Sequence, residues 1–183
     1  MALEPSDFAS SEQSGPGDAV TAWLLDALGS LRHRNGRPLV QVFGPTSTDA
    51  RGGTVSFIVR DPDGRPFDDR RVEELANREN ISLRTGCFCN PGAGEIAHGL
   101  SADEMRAFFG RDEAVSFLAL RGEMLERYDL LVAAIRVSVG IASNFTDVYR
   151  FMCFIQSFVD RTTDEVGRAE FSAANCRIVR DSA

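Results

Sequence analysis

The spacing of apolar residues predicts a chain in which helices and short strands follow one another. Apolar residues three and four positions apart, the spacing of one buried helix face, predict helices over residues 18–34, 68–80 and 144–159. Runs rich in β-branched and aromatic residues predict strands at residues 39–43, 54–60, 81–85 and 130–141. Further helix candidates are residues 101–109 and 112–126. This order of elements predicts the α/β fold class, as an α+β sandwich in which helices pack on one small sheet.

The two ends of the chain differ in composition from its middle. Residues 1–18 are rich in Ser, Gly, Pro and acidic residues, which predicts a flexible segment leading into the domain from a longer protein. The predicted domain covers residues 19–160, and residues 161–183 are expected to form a C-terminal tail.

Charge and cysteine content narrow the classes of function. The formal net charge of −7 does not favour nucleic acid or an anionic membrane as a partner. No apolar run is long enough for a transmembrane helix, and the first residues lack the pattern of a signal peptide. Four cysteines without an export signal indicate free thiols in a cytoplasmic protein. All 20 basic residues are arginine, so the chain has no lysine.

The segment "RTGCFCNPGAGE" (residues 84–95) is the first candidate for chemistry. In an extended chain, Cys87 and Cys89 project to the same side. A cysteine becomes reactive when a nearby cation stabilises its thiolate and solvent can reach it, and Arg84 is placed to supply that cation. The same pattern is equally compatible with two small apolar side chains in an ordinary loop.

A metal site is another interpretation of this segment. Cys87, Cys89 and His98 are potential zinc ligands, but paired cysteines of structural zinc sites are usually separated by about two to four residues, not one. The spacing therefore favours a thiol site over a metal site, and His98 receives no special role. Cys153 is predicted to pack within the last helix.

Arg136 is the second candidate because it interrupts an otherwise apolar strand, "AIRVSVG". Alternation places Ile135 and Val137 on one face of that strand and Arg136 and Ser138 on the other. An arginine in such a strand needs an anion, because an unpaired buried charge costs several kcal/mol. The anion is either an acidic side chain of the domain or a ligand carboxylate bound by two hydrogen bonds, and the pattern alone does not decide between them.

Four ordered blocks of sequence together resemble one known family. They are "LRHRNGRPLVQVFGP", "RGGTVSFIVRDPDGRP", "VEELANRENISLRTGCFCNPGA" and "IRVSVGIASNFTDVYRFMCFI", within residues 20–160. The blocks resemble the small C-terminal domain of class V aminotransferase-like enzymes, which use pyridoxal phosphate, in the branch that contains cysteine desulfurases and molybdenum cofactor sulfurases. The stretch "LRTGCFCNPGA" is most similar to the molybdenum cofactor sulfurases.

The resemblance implies roles for both candidates. Cys89 corresponds to the loop cysteine that takes a sulfur atom from a cysteine substrate and becomes a persulfide. Arg136 and Ser138 correspond to the strand that binds the substrate carboxylate, and Arg84 is assigned to the same substrate site. The resemblance gives Cys87 no role.

The chain also departs from the family. The larger cofactor domain, with its Schiff-base lysine and phosphate-binding groups, has no counterpart in this sequence. We therefore expect that this chain alone binds no pyridoxal phosphate. The cofactor would require a separate or missing lysine-bearing domain or subunit as partner, with a small amino acid as substrate.

Two alternatives of other classes stay open at this point. One is a stand-alone sulfur-accepting or binding module that uses Cys89 without pyridoxal phosphate. The other is an inactive remnant of the family.

Overall fold

The fold is a small antiparallel sheet that carries helices on one face. A computed structural model describes residues 16–49, 51–87, 97–99, 101, 103, 106, 110, 121–125, 131–140, 142–169, 171–172 and 177–178. The predicted fold class, with helices packed on one small sheet, is confirmed. None of the described helices combines the length and the apolar character that a membrane span requires.

Three of the four named helices follow a residue whose side chain caps them. Their bounds are α1 Pro16–Ser30, α2 Asp69–Arg78, α3 Phe145–Gln156 and α4 Thr163–Val166. Asn144 and Asp147 form a capping box at the start of α3, and Thr162 and Glu165 form another at α4. Asp68 caps α2 by accepting a hydrogen bond from the backbone N–H of residue 70. The helix predicted from residue 18 begins two residues earlier, at Pro16.

The sheet has the strand order β1-β2-β4-β3, and every neighbouring pair is antiparallel. The strands are β1 Val40–Phe43, β2 Thr54–Val59, β3 Arg84–Gly86 and β4 Ala134–Ser138. A separate two-stranded sheet pairs β5 Phe171–Ser172 with β6 Arg177–Ile178. The strand predicted at 130–141 is shorter than expected because residues 131–133 are buried without belonging to a strand.

The core lies between the helices and one face of the sheet. Alternate sheet residues and the apolar stripes of the helices supply its fully buried side chains, among them Leu24, Leu28, Val55, Phe57, Val72, Ala76, Ile135 and Ile155. The rings of Phe57 on β2 and Phe151 on α3 meet edge to face, with centroids 6.0 Å apart. Val166 of α4 belongs to the same core, although its segment was expected to be a tail.

A buried histidine ties the end of β2 to the end of α3. His33 Nδ1 accepts a hydrogen bond from the backbone N–H of Asp160 at 3.0 Å. The other ring nitrogen, Nε2, lies 3.0 Å from the carbonyl oxygen of Arg60 and therefore donates to it. This pairing assigns the neutral tautomer of His33 and holds the backbone of Arg60 in place.

A buried ion cluster joins the helical segment 121–125 to the start of α2. Arg121 Nη2 lies 2.8 Å from Asp68 Oδ1 and 2.5 Å from Asp69 Oδ1. Burial raises the pKa of Asp69 to about 6, although the charge of Arg121 opposes the shift. The second carboxyl oxygen of Asp69, Oδ2, has no hydrogen-bond partner among the described residues. The sequence pattern did not reveal this cluster, because Arg121 is more than 50 positions away from both aspartates in the chain.

Replacing Arg121 with Met should destabilise the domain by about 3 kcal/mol or more at pH 8, because two carboxylates then stay buried without a cation. The loss should be smaller at pH 5. The pKa of the Asp69 carboxyl is higher in the folded state than in the unfolded state, so its contribution to stability falls as the pH rises through these values. Removing Arg121 raises the folded pKa further, and the loss of stability is therefore larger at pH 8. Urea denaturation at both pH values measures the difference.

Arg106→Met, which breaks the exposed pair with Asp103, is the matched control and should cost at most about 1 kcal/mol. Equal losses for Arg121→Met at both pH values would contradict the titration of Asp69.

Gly53 permits the close approach of the chain just before β2 to the end of β4. The backbone N–H of Val139 donates to the carbonyl oxygen of Gly53 at 2.8 Å, and a Cβ on Gly53 would lie 2.5 Å from the carbonyl oxygen of Val139.

Gly53→Ala should therefore cost about 1–3 kcal/mol of unfolding free energy, the usual effect of overpacking. Gly52→Ala is the control, because nothing lies within 4 Å of its added Cβ. Thermal unfolding of the two variants should separate them, and equal midpoints would contradict the steric argument.

Candidate functional site

The candidate site lies on the sheet face that points away from the helices, which we call the outer face. Register places Arg136 of β4 between Ser56 of β2 and Arg84 of β3. Directly opposite residues of antiparallel strands share a face, so these three side chains form one row on the outer face. Phe43 of β1 is opposite Ser56 and completes the row across all four strands.

The phase of the hydrogen bonds sets the spacing within this row. The bond from Val139 N–H to Gly53 directs the amides of alternate β4 residues towards β2, which leaves the amide of Arg136 directed towards β3. Ser56 and Arg136 are therefore a non-hydrogen-bonded pair, with Cα atoms about 4.5 Å apart. Arg84 and Arg136 are a hydrogen-bonded pair, with Cα atoms about 5.5 Å apart. A hydroxyl and a second guanidinium thus border Arg136 on its two sides.

Neither arginine of the row is neutralised by the described part of the chain. Arg84 and Arg136 form no ion pair and no side-chain hydrogen bond with any described residue. Other arginines do pair with acids, namely Arg34, Arg71, Arg78, Arg106 and Arg121. Like charges directly opposite each other on neighbouring strands repel each other. An anion bound above Arg84 and Arg136 would offset this repulsion and accept hydrogen bonds from both guanidinium groups.

The neighbouring row of the outer face carries hydroxyl groups. Thr54 and Ser138 are opposite each other, and their oxygens lie 3.0 Å apart. Ser138 therefore shares the outer face with Arg136, as strand alternation predicted. Thr54 and Ser138 are two residues along their strands from Ser56 and Arg136, a separation of about 7 Å.

Each residue of the Arg-Thr-Gly sequence of β3 has a distinct structural role. Arg84 projects outward and is exposed, whereas the Thr85 hydroxyl donates a hydrogen bond to the carboxylate of Glu73 on α2. Gly86 adopts φ +130, a conformation that L side chains rarely adopt. The exposed Cys87 follows directly after β3. The hydrogen bond of Thr85 and the conformation of Gly86 therefore set the direction in which the backbone reaches Cys87.

The structure brings together Arg84, Arg136 and Ser138, three of the four residues assigned to the site. The fourth, Cys89, lies outside the described residues, and so does the proposed alignment of Cys87 with Cys89. Cys153 lies on the last helix as expected, but the expectation that its side chain packs there is wrong. The side chain is exposed, because Met152 and Ile155 take the inward positions of α3. The described residues contain no group of three metal-binding side chains.

A cavity of about 290 Å³ lies on the outer face over β1 and β2. Its lining is Gln41, Phe43, Ile58, Arg60, Ala97, His98, Gly99 and Leu131. The His98 ring meets the ring of Phe43 edge to face, with centroids 5.2 Å apart. Burial, assisted by the charge of Arg60, lowers the pKa of His98 to about 4 and keeps the imidazole neutral at physiological pH. The sequence assigned no role to His98, since nothing in "IAHGLS" indicates its contact with β1.

Comparison with known proteins finds similar sequences of one name. No protein-family model matches the chain. It is 35% identical to the molybdenum cofactor sulfurase of Solanum lycopersicum over 143 residues, which cover 76% of this chain. The chain is similar to part of the molybdenum cofactor sulfurases. The sulfurases of Bos taurus and Homo sapiens are 34% and 32% identical over 74% and 70% of the chain.

The chain spans 16%, 15% and 14% of the length of these three sulfurases, respectively. A segment that covers 76% of this chain includes residues 84–136 wherever it begins. The similarity to the tomato sulfurase therefore extends over both arginines of the row and over Cys89. It supports the sulfurase-like branch that the sequence blocks indicated.

Arg136→Ala should change the unfolding free energy by less than about 1.5 kcal/mol, the usual range for changes away from the core. The physical reason is that no acidic partner among the described residues is left uncompensated, and the repulsion from Arg84 is removed. Urea denaturation beside Arg121→Met, which breaks a buried pair, gives the contrast. A loss above about 3 kcal/mol would instead identify Arg136 as a member of a buried ion pair.

Proposed function

We propose that this chain is the substrate-binding and sulfur-accepting part of a molybdenum cofactor sulfurase-like enzyme that depends on pyridoxal phosphate. The observation that carries the proposal is the pair Arg84 and Arg136, which stand side by side on the outer face without an acidic partner among the described residues. The similarity to the sulfurases supports the class of reaction. The substrate would be a small amino acid.

In this proposal Arg136 binds the substrate carboxylate through two parallel hydrogen bonds. Arg84 adds a second positive charge beside it. The hydroxyls of Ser56 and Ser138 flank the carboxylate from the neighbouring positions of the sheet. These groups orient the substrate and hold its carboxylate.

Cys89 is the proposed sulfur acceptor, as the family resemblance implies. It is two residues beyond Cys87, so their Cα atoms are at most about 7 Å apart. The charge of the two guanidinium groups would favour its thiolate, which is the form that accepts sulfur. Sulfur acceptance and carboxylate binding are thereby assigned to the same chain.

The residues of this chain do not fit a pyridoxal phosphate site by themselves. The cofactor needs a lysine for its Schiff base, and the sequence has none. The outer face offers arginines, which do not replace that lysine. We therefore place the cofactor on a separate lysine-bearing domain or subunit that meets the outer face.

A second candidate is a sulfur-accepting module that works without pyridoxal phosphate. The absence of lysine favours it, because such a module needs only a reactive thiol and a sulfur donor. Both candidates give Cys89 the same role. They differ in whether Arg136 must act on an amino-acid substrate.

Persulfide mapping tests the role of Cys89. The chain is incubated with cysteine and a catalytic amount of an unrelated cysteine desulfurase, and each cysteine peptide is then examined by mass spectrometry. We expect one added sulfur atom on Cys89 before Cys87, Cys153 or Cys176 is modified, because the guanidinium charge favours the Cys89 thiolate.

Cys153 is the internal control, since it is an exposed thiol on α3, behind the opposite face of the sheet. Cys89→Ser should abolish the early modification, and Cys153→Ser should leave it unchanged. Equal modification of Cys153 and Cys89 would contradict the proposal and favour an inactive remnant.

A further inference from the structure

Arg60 is a partly buried cation whose partners are all neutral. Its Nε and Nη2 donate to Oε1 of Gln41 at 3.1 and 2.8 Å, and its Nη1 donates to the carbonyl oxygen of Gly64 at 2.8 Å. A guanidinium has five N–H donors, so two of them have no partner among the described residues. No described acid lies within ion-pair distance of Arg60. The desolvation that lowers the pKa of this guanidinium is therefore not offset by an acid.

The cavity beside Arg60 combines this charge with apolar walls. Phe43, Ile58 and Leu131 contribute apolar side chains, and no acidic residue is among its described lining. The side-chain oxygen of Gln41 accepts from Arg60, which leaves the amide N–H groups of Gln41 as donors. The volume of the cavity, about 290 Å³, is close to the lower end of the range for small-molecule sites.

We propose that this cavity is a second binding site, for a small organic anion whose carboxylate or phosphate group is bound by Arg60 and whose apolar part packs against Phe43. The two spare donors of Arg60 match two oxygens of such a group. Phe43, Ile58 and Leu131 remove the apolar part from water. The neutral imidazole of His98 closes the cavity against Phe43.

This site is distinct from the row that contains Arg136. Arg60 directly follows β2 and is four residues beyond Ser56, a separation of about 13 Å in an extended chain. The two sites share the outer face and Phe43 but have different arginines. The inference therefore stands even if the proposed roles of Arg136 and Cys89 fail.

NMR titration of the full chain with benzoate and with phenyl phosphate tests the proposal and compares the two anionic groups. We expect saturable shifts for the side chain of His98 and the backbone of Phe43, Gly99 and Leu131. Benzamide, which lacks the charge, and inorganic phosphate, which lacks the ring, should both bind more weakly. Equal shifts with inorganic phosphate and phenyl phosphate would overturn the proposal, because they would indicate general anion attraction.

Two variants that each remove one cation locate the site. Arg60→Gln should weaken benzoate binding by about tenfold or more, the effect of losing charged hydrogen bonds. Arg150→Gln, on α3 behind the opposite face of the sheet, changes the net charge equally and should leave the affinity unaltered. Phe43→Leu, which keeps the charge, should weaken benzoate more than inorganic phosphate. Benzoate binding that is lost in Arg150→Gln but kept in Arg60→Gln would overturn the assignment.

Discussion

The register of β4 between β2 and β3 is the constraint on which both faces of the sheet depend. Side chains of a strand alternate with a period of two, so a shift by one residue would bury Arg136 and expose Ile135. Ile135 is completely buried opposite Phe57, and the bond from Val139 to Gly53 fixes the end of the pairing. The core therefore holds the arginine row in position without any contact from the row itself.

The arginines of the domain lie in two contrasting environments. Arg121 is buried and bound by two carboxylates, one of which has its pKa raised to about 6 by burial. Arg60, Arg84 and Arg136 on the outer face have no acidic partner in the described part of the chain. The net charge of the chain is −7, so the described part of the outer face is locally cationic on an acidic protein. Such a surface attracts anions to one face of the molecule.

Sequence periodicity predicted α1 to α3, β1 to β4 and the direction of Arg136, because these depend on residues close together in the chain, whereas α4, β5 and β6 lie in the expected tail. The helices predicted from residues 68 and 144 correspond to α2 and α3, and the side chains of Asp68 and Asn144 cap them. Helical spacing did not decide the orientation of Cys153, since Met152 and Phe154 beside it are both buried. Short-range patterns are reliable where one face is clearly apolar and fail where apolar residues surround a position.

The parts of the site that escaped sequence analysis all join distant segments. Nothing local shows that β4 pairs with β3, which is what places Arg84 beside Arg136 across about 50 positions. The contact between His98 and Phe43 is of the same kind. The main core lies on the inner face, whereas the outer face carries the small cluster of Ile58, Leu131, Ala133 and Phe43. The outer face can therefore hold cations that have no acidic partner among the described residues, because the inner face already determines the fold.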